Sequence, residues 1–354
     1  MKFKNHNNRS PLDILIFDMD GVLIDVSHSY RKTIQKTIQI YFETCLGFEK
    51  SKGWIVSDKE ISLLKSVGGF NNDWDLTSGL LLYLLSTSGI PARNEKKKFS
   101  SIEETVLYLR LKLSEFYRKK ALQLNRNHLS SFLQRVKASG EGLQGIRQAL
   151  EDSWSGWIYR SGDIDKENIV KRIFQEIYLG EKFASHYHLQ PLFYRQKGLY
   201  LREKLLIRKE ILSRLRKKLR LGIASGRPRF EAELALRKFN LHHYFDSVVT
   251  LDECREEEAG ILLSTGKKIK LSKPHPYPIL KAVQEIGIPA PRCGYVGDVV
   301  DDMRAAKAAK KNLPMIAIGF LSAPYRHKAA RDSLLKAGAD LIIANPKELL
   351  QFVS

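Results

Sequence analysis

The stretch Leu12-Asp13-Ile14-Leu15-Ile16-Phe17-Asp18-Met19-Asp20-Gly21-Val22-Leu23-Ile24-Asp25 decides how the rest of the chain is read. A short, nearly continuous apolar run suits a strand buried on both faces of a parallel sheet. It ends in two carboxylates one residue apart, followed by a glycine. Either acid alone could cap a turn, but like charges at that spacing repel unless a cation, a shared proton or a substrate uses them. Asp18 and Asp20 are therefore the candidate reaction centre.

Beyond Asp25 the pattern is helical for a long way. Ser27–Glu43, Trp74–Leu85, Ser101–Leu122, His128–Lys137, Gly142–Leu150, Ile164–Tyr178 and Leu199–Lys218 carry apolar residues at helical spacing or read as helices between Gly, Pro and Asn breaks. From residue 219 the period changes. Strands are expected at Leu219–Ala224, Ser247–Leu251, Arg292–Val296, Pro314–Gly319 and Asp340–Ile343, with helices at Phe230–Phe239, Ile279–Ile286, Met303–Lys310 and Ala323–Ala337. Alternation at this spacing predicts an α/β fold, a doubly wound, Rossmann-like parallel sheet with a large inserted α-helical cap domain. The expected boundaries are 11–27 and 206–354 for the core and 28–205 for the cap. Gly260–Leu271 reads as an extra hairpin or surface loop, and Lys96-Lys97-Lys98 as a solvated loop.

Bulk properties narrow the class. The chain of 354 residues is long enough for two cores. Its longest apolar stretch, Gly79–Ile90, is broken by Ser86, Thr87 and Ser88 and is too short to span a bilayer, so no membrane association is expected. The polar, basic first residues do not resemble a signal peptide, and three scattered cysteines fit reduced thiols, so a cytoplasmic location is expected. The formal charge of +20 predicts attraction to anions. Eleven Lys or Arg against two acids between Arg195 and Arg220 read first as a solvated helix face. They also leave open a nucleic-acid or other polyanion partner, which is not favoured.

In a doubly wound sheet, ligands bind outside the carboxyl ends of the strands. Those ends carry Asp18 and Asp20, then Ser225 and Gly226, then Asp298, Asp301 and Asp302, with Lys273 in the loop before the Ile279 helix. Several carboxylates at one rim call for a hard cation, and oxygen-only ligands favour Mg²⁺. With the charge of a phosphate offset, Asp18 can attack phosphorus, and Asp20 can protonate the leaving oxygen and then deprotonate water. Ser225, the N–H groups near Gly226, and Lys273 would hold the phosphoryl oxygens. Asp298, Asp301 and Asp302 could instead simply cap the helix that follows.

The set Asp-Met-Asp-Gly-Val-Leu-Ile-Asp (18–25), Ala-Ser-Gly-Arg-Pro (224–228), Lys-Pro-His-Pro (273–276) and Gly-Asp-Val-Val-Asp-Asp (297–302) resembles the four ordered motifs of the haloacid dehalogenase-like hydrolase superfamily. The position of the helical insert resembles the subfamily that includes phosphoglycolate phosphatase and β-phosphoglucomutase. The resemblance implies Asp18 as nucleophile, Asp20 as acid/base, Ser225 and Lys273 as phosphoryl partners, and Asp18, Asp20, Asp298 and Asp302 as the Mg²⁺ site, with Asp301 a spare. It implies a phosphate monoester hydrolase acting through an aspartyl-phosphate on a small phosphorylated metabolite, phosphoglycolate-like or a sugar phosphate. A phosphomutase is the alternative, against which the mutase histidine position falls on Tyr30.

In the insert, Gly68-Gly69-Phe70-Asn71-Asn72-Asp73-Trp74-Asp75 reads either as a helix cap or as a specificity loop. Arg31, Asn71, Asn72 and Trp74 are the expected substrate contacts there. Arg31 equally fits a surface charge. Trp154 and Trp157 read as buried anchors, and His186 and His188 as structural. Oligomeric state is not legible, and much of residues 90–195 has no counterpart in a cap of ordinary length.

Overall fold

The structure, a computed structural model, describes residues 12–70, 72–116, 121–321 and 328–353. The chain divides into two compact units, Met1–Asp25 with Lys204–Ser354, and Val26–Glu203.

The first unit is built on six parallel strands: β1 (Ile14–Phe17), β4 (Arg220–Ala224), β5 (Ser247–Val249), β6 (Cys293–Gly297), β7 (Met315–Phe320) and β8 (Leu341–Ile343). Their order is β5-β4-β1-β6-β7-β8, so the expected doubly wound α/β architecture is present with β1 at its centre. Every side chain of β1 is fully buried. Glycines on both neighbours make room for it. A Cβ on Gly222 would meet Ile16 Cδ1 at 2.6 Å, and one on Gly294 would meet Leu15 Cδ1 at 2.8 Å. The short strands β2 (Ile24–Asp25) and β3 (Lys204–Leu205) pair antiparallel where the chain leaves this unit and where it returns.

Two expectations fail here. Leu199–Lys218 is not one helix but a 3₁₀ turn at Leu199–Arg202, strand β3 and a helix at Lys209–Arg216. The pairing of β3 with β2 is a contact between distant segments, which local periodicity cannot reveal. Part of the basic run is neutralised locally, since Arg216 and Arg220 both pair with Asp246 at 2.9 and 3.2 Å. The second correction concerns Gly260–Leu271. It is not a hairpin: the helix Leu251–Thr265 runs through Gly260 and stops at Gly266, whose φ of +69° suits only glycine well. The Thr250–Glu253 capping box starts that helix, and near its far end Leu263 is 88% exposed. Of the expected helix Ala323–Ala337, Lys328–Ala337 is seen, and 322–327 lie outside the described residues.

The second unit is helical. Asp73–Thr87 is its central helix, buried almost all round from Leu76 to Leu85, which explains an apolar run with no amphipathic period. Tyr30 on the helix Tyr30–Ile40 stacks on Tyr178 at 4.5 Å and 9°, and Trp157 is buried as expected. Glu176, fully buried on the helix Ile169–Leu179, accepts from Arg172 Nε (2.6 Å) and from the backbone N–H groups of Leu192, Phe193 and Tyr194. One carboxylate thus folds the 190–195 segment onto a helix. Among the described residues no helix is long and apolar enough to cross a membrane.

Glu176→Ala should destabilise the protein by about 3–5 kcal/mol, because it strands the buried Arg172 charge and three N–H donors. Urea unfolding followed by circular dichroism checks this, and Glu176→Gln should recover part of the loss.

Candidate active site

The carboxyl ends of β1, β4 and β6 lie side by side, since β1 pairs with both of the others. Asp18 follows β1, its amide donating to Val296 O at 2.9 Å, and the residue is 5% exposed. The turn after it closes tightly: Leu23 N and Ile24 N both donate to Met19 O, and Gly21, at φ +74°, donates to Ile24 O. Gly21 also permits the approach of Asp298 from the end of β6. A Cβ there would lie 2.1 Å from Asp298 Oδ2. The same device repeats at Gly297, where a Cβ would lie 2.3 Å from that of Asp302.

Lys273 is the hub. Its Nζ donates to Asp18 Oδ1 (2.8 Å), Asp302 Oδ1 (2.6 Å) and Tyr295 Oη (3.0 Å). Asp302 is fully buried, and its other oxygen accepts from the amides of Asp298 and Val299 at 3.0 and 3.2 Å. Tyr295, also fully buried, lies 2.9 Å from Asp302 Oδ1 and 3.3 Å from Ala224 O, so its single proton joins β6 to either group.

Electrostatics follow from burial. Burial raises the Asp18 carboxyl to about 7; Lys273 opposes the rise, while Asp302 and Asp20 add to it. For Lys273, burial works against the charge, yet Asp18 and Asp302 hold the ammonium well above the usual lysine range. Burial and Asp302 push the Tyr295 phenol up, so it stays a neutral donor.

Asp18, Asp298 and Asp302 each offer a carboxylate oxygen within 4.8 Å of the others, an oxygen-only set able to hold a hard cation. Asp20 is not in that triad. Its Oδ1 accepts from Arg227 Nε (2.7 Å) and Nη2 (2.5 Å), and Arg227 is 2% exposed. Ser225, buried at the end of β4, accepts from Arg227 N at 3.2 Å, and Gly226 lies in the turn between them. Asp301 is buried beside the triad residues in sequence, with Arg304 at 3.6 Å from its Oδ1.

Sequence reasoning missed Arg227 and Tyr295. Arg227 stood inside a quoted motif, but its role depends on a partner 207 positions away. Tyr295, a lone hydroxyl in an otherwise apolar strand, was a signal that a buried donor had work to do.

The remaining expected contacts belong to the Val26–Glu203 unit. Asn72 caps the helix Asp73–Thr87, accepting from Asp75 N at 2.8 Å. Trp74 is buried against Phe174, with Lys171 Nζ 5.3 Å from its ring centre. Arg31 donates to Ser62 Oγ at 2.7 Å. Asn71 lies outside the described residues. The cap reading of this stretch is therefore realised in its side-chain contacts.

A parallel α/β sheet whose central strand ends in a buried aspartate bridged by lysine to a second one, with a third beside them, forms an oxygen-lined site able to hold a hard cation. The sequence model of the haloacid dehalogenase-like hydrolases matches residues 12–310, and the chain belongs to that family. It is 29% identical over 128 residues to a phosphoglycolate phosphatase of Xanthomonas campestris pv. campestris (strain 8004), covering 36% of this chain and 48% of that protein. It is 24% identical over 303 residues to an imidazoleglycerol-phosphate dehydratase of Phytophthora nicotianae, covering 85% of this chain and 42% of that one. The chain thus spans less than half the length of each of these relatives. An X-ray structure solved as a Northeast Structural Genomics Consortium target shares the fold, with a TM-score of 0.64, 20% identity, and coverage of 97% of this chain and 98% of that one.

Gly297→Ala should push Asp302 out of its place and cost about 1–3 kcal/mol. A lowered melting temperature checks this; an unchanged one means the loop yields without disturbing the Lys273 contacts.

Proposed function

We propose that this protein is a Mg²⁺-dependent phosphate monoester hydrolase that acts through an aspartyl-phosphate on a small phosphorylated metabolite, with the helical 26–203 unit as its cap. The observation that carries the reading is Lys273 bridging Asp18 and Asp302 beside Asp298. Asp18 and Asp298 would hold the metal with Asp302, whose oxygens are also engaged by Lys273 and two amides. When bound, the cation would offset the negative charge shared by carboxylates and phosphate.

The chain's own residues do the rest. Asp18 attacks phosphorus as the bond to the leaving oxygen breaks, forming the acyl phosphate. Asp20 gives its proton to that oxygen, then takes one from the water whose oxygen displaces Asp18 and releases phosphate. Arg227 fixes where Asp20 stands between these transfers. Lys273, the Ser225 hydroxyl and the amides around Gly226 hold the phosphoryl oxygens. Tyr30, at the mutase histidine's position, is a stacked core residue, which supports transfer to water over transfer to a second sugar hydroxyl. The name of the phosphoglycolate phosphatase relative supports a small acidic phosphate ester as substrate.

Hydrolysis of a generic aryl phosphate should require Mg²⁺ and fall by about a thousandfold or more in Asp18→Asn. No turnover of a broad ester panel by folded, Mg²⁺-loaded protein would sink the proposal. Arg227→Ala should lower kcat by about ten- to a hundredfold with a smaller change in KM, since it displaces Asp20 and not the substrate.

The sign of the pH dependence follows from Asp18. With its carboxyl raised to about 7, the proton competes with the cation below that pH. Mg²⁺ affinity measured by calorimetry should therefore weaken as pH falls through about 7, and this dependence should disappear in Asp18→Asn.

A further inference from the structure

A cavity of about 330 Å³ within the Val26–Glu203 unit is lined by Lys96, Arg147, Asp152, Ser155, Arg160 and Ser161, among others. Its size is at the lower end of small-molecule sites. Three cations meet there, and the one carboxylate on the wall is already taken: Arg147 binds Asp152 through Nε–Oδ1 (2.7 Å) and Nη2–Oδ2 (2.6 Å). The carboxylate paired with Arg160 is Asp75, at 3.8 Å, beyond hydrogen-bond reach and itself held by the Asn72 amide. Among the described residues Lys96 Nζ makes no hydrogen bond or ion pair, and rests 5.7 Å from the Tyr159 ring centre. Burial, then Arg160 and Arg147, holds its ammonium below the usual lysine range. Burial also lowers Arg160, with Asp75 opposing and Arg147 adding. Asp152 opposes both shifts, and Lys96 and Arg147 are exposed, yet three cations face only Asp152 and Asp75 here, so the wall keeps an excess of positive charge.

The wall is also built in advance. Residues 91–98 have no regular secondary structure, yet they are fastened along the 153–159 segment. Gly156 N donates to Arg93 O, Trp154 Nε1 to Ile90 O, Trp157 Nε1 to Pro91 O and Tyr159 Oη to Lys97 O, at 2.8 to 3.0 Å. A Cβ on Gly156 would lie 2.6 Å from Glu95 O, so only glycine allows the strap to lie this close. The Lys96-Lys97-Lys98 run is the exposed, solvated loop expected from the sequence, and its backbone is pinned to the segment beside it.

We propose that this cavity binds a small phosphate-bearing molecule, its phosphate taken by Lys96 and Arg160 with the hydroxyls of Ser155 and Ser161 nearby. Lys96, which has no ion pair among the described residues, and Arg160, whose Asp75 partner stands 3.8 Å away, together match the charge of about −1.5 to −2 on a phosphate monoester better than that of a single carboxylate. The inference does not rest on the proposed hydrolase activity.

The test is a titration of the ¹⁵N-labelled full chain with inorganic pyrophosphate in the absence of divalent metal, followed by backbone amide shifts. Saturable shifts at Asn94, Lys96, Ser155 and Ser161 are expected. Lys96→Ala and Arg160→Ala should each weaken binding about tenfold, with unchanged melting temperature, and Lys96→Arg should restore most of it. No saturable shift at these amides up to millimolar pyrophosphate in the wild-type protein overturns the site, whatever the variants do. So does wild-type affinity in the Lys96→Ala/Arg160→Ala double variant. Citrate binding there more tightly than pyrophosphate overturns the phosphate assignment.

Discussion

The Lys273 ammonium, shared between Asp18 Oδ1 and Asp302 Oδ1, is the interaction on which the core unit's site depends. Both acids are buried, and a buried carboxylate without a partner costs several kcal/mol. The lysine comes from a loop outside the sheet, Asp18 from the end of β1, and Asp302 from the first turn of the helix Val300–Ala309 after β6. One cation therefore sets the relative positions of three segments. Tyr295 tightens the arrangement from below, because its hydroxyl reaches both the lysine and the end of β4. The compensation is incomplete by design. Asp18, Asp20, Asp298 and Asp302 outnumber Lys273 and Arg227, and Arg227 is committed to Asp20. An excess of negative charge in a closed space favours a cation, and burial, with Asp302 and Asp20 adding to it, raises the Asp18 carboxyl.

What could be read in advance follows from the range of each interaction. Strand β1 was legible because a buried strand needs four apolar residues in a row and the two acids end it abruptly. The sheet was legible from alternation, and the rim residues from the rule that strand ends face the ligand. The short strand β3 was not, because its partner Ile24–Asp25 lies at the far side of the insert. The Asp20–Arg227 pair was invisible for the same reason, although both residues stood in quoted motifs. Asn72 and Trp74 show residue types suited to binding also serving as a helix cap and in packing, uses that a local sequence equally allows.

Helix Leu251–Thr265 marks a third limit. Gly260–Leu271 reads as an extra hairpin or surface loop, yet the backbone stays helical to Thr265. Glycine in a helix costs about 1 kcal/mol, which a capping box and an otherwise favourable run can offset. The stop comes at Gly266, where a left-handed φ is required. Position within the hydrogen-bond ladder, and not residue type, separates the tolerated glycine from the terminating one.

The two units carry opposite electrostatic imbalances, and each is stabilised by a steric device of the same kind. In the core, carboxylates crowd together because Gly21 and Gly297 leave no Cβ in the way of Asp298 and Asp302. In the helical unit, cations crowd round a cavity because Gly156 lets the 91–98 strap lie against its neighbour. A glycine supplies no attraction, so the close approach is maintained in the core by Lys273 and by the amides that donate to Asp302, and in the helical unit by backbone hydrogen bonds and the Trp154, Trp157 and Tyr159 donors. The chain's net charge of +20 is therefore a poor guide to either site. Surface cations such as Arg216 and Arg220, which share the single acid Asp246, add to that total without marking a site, whereas crowded or buried charges with incomplete partners are the better pointer to one.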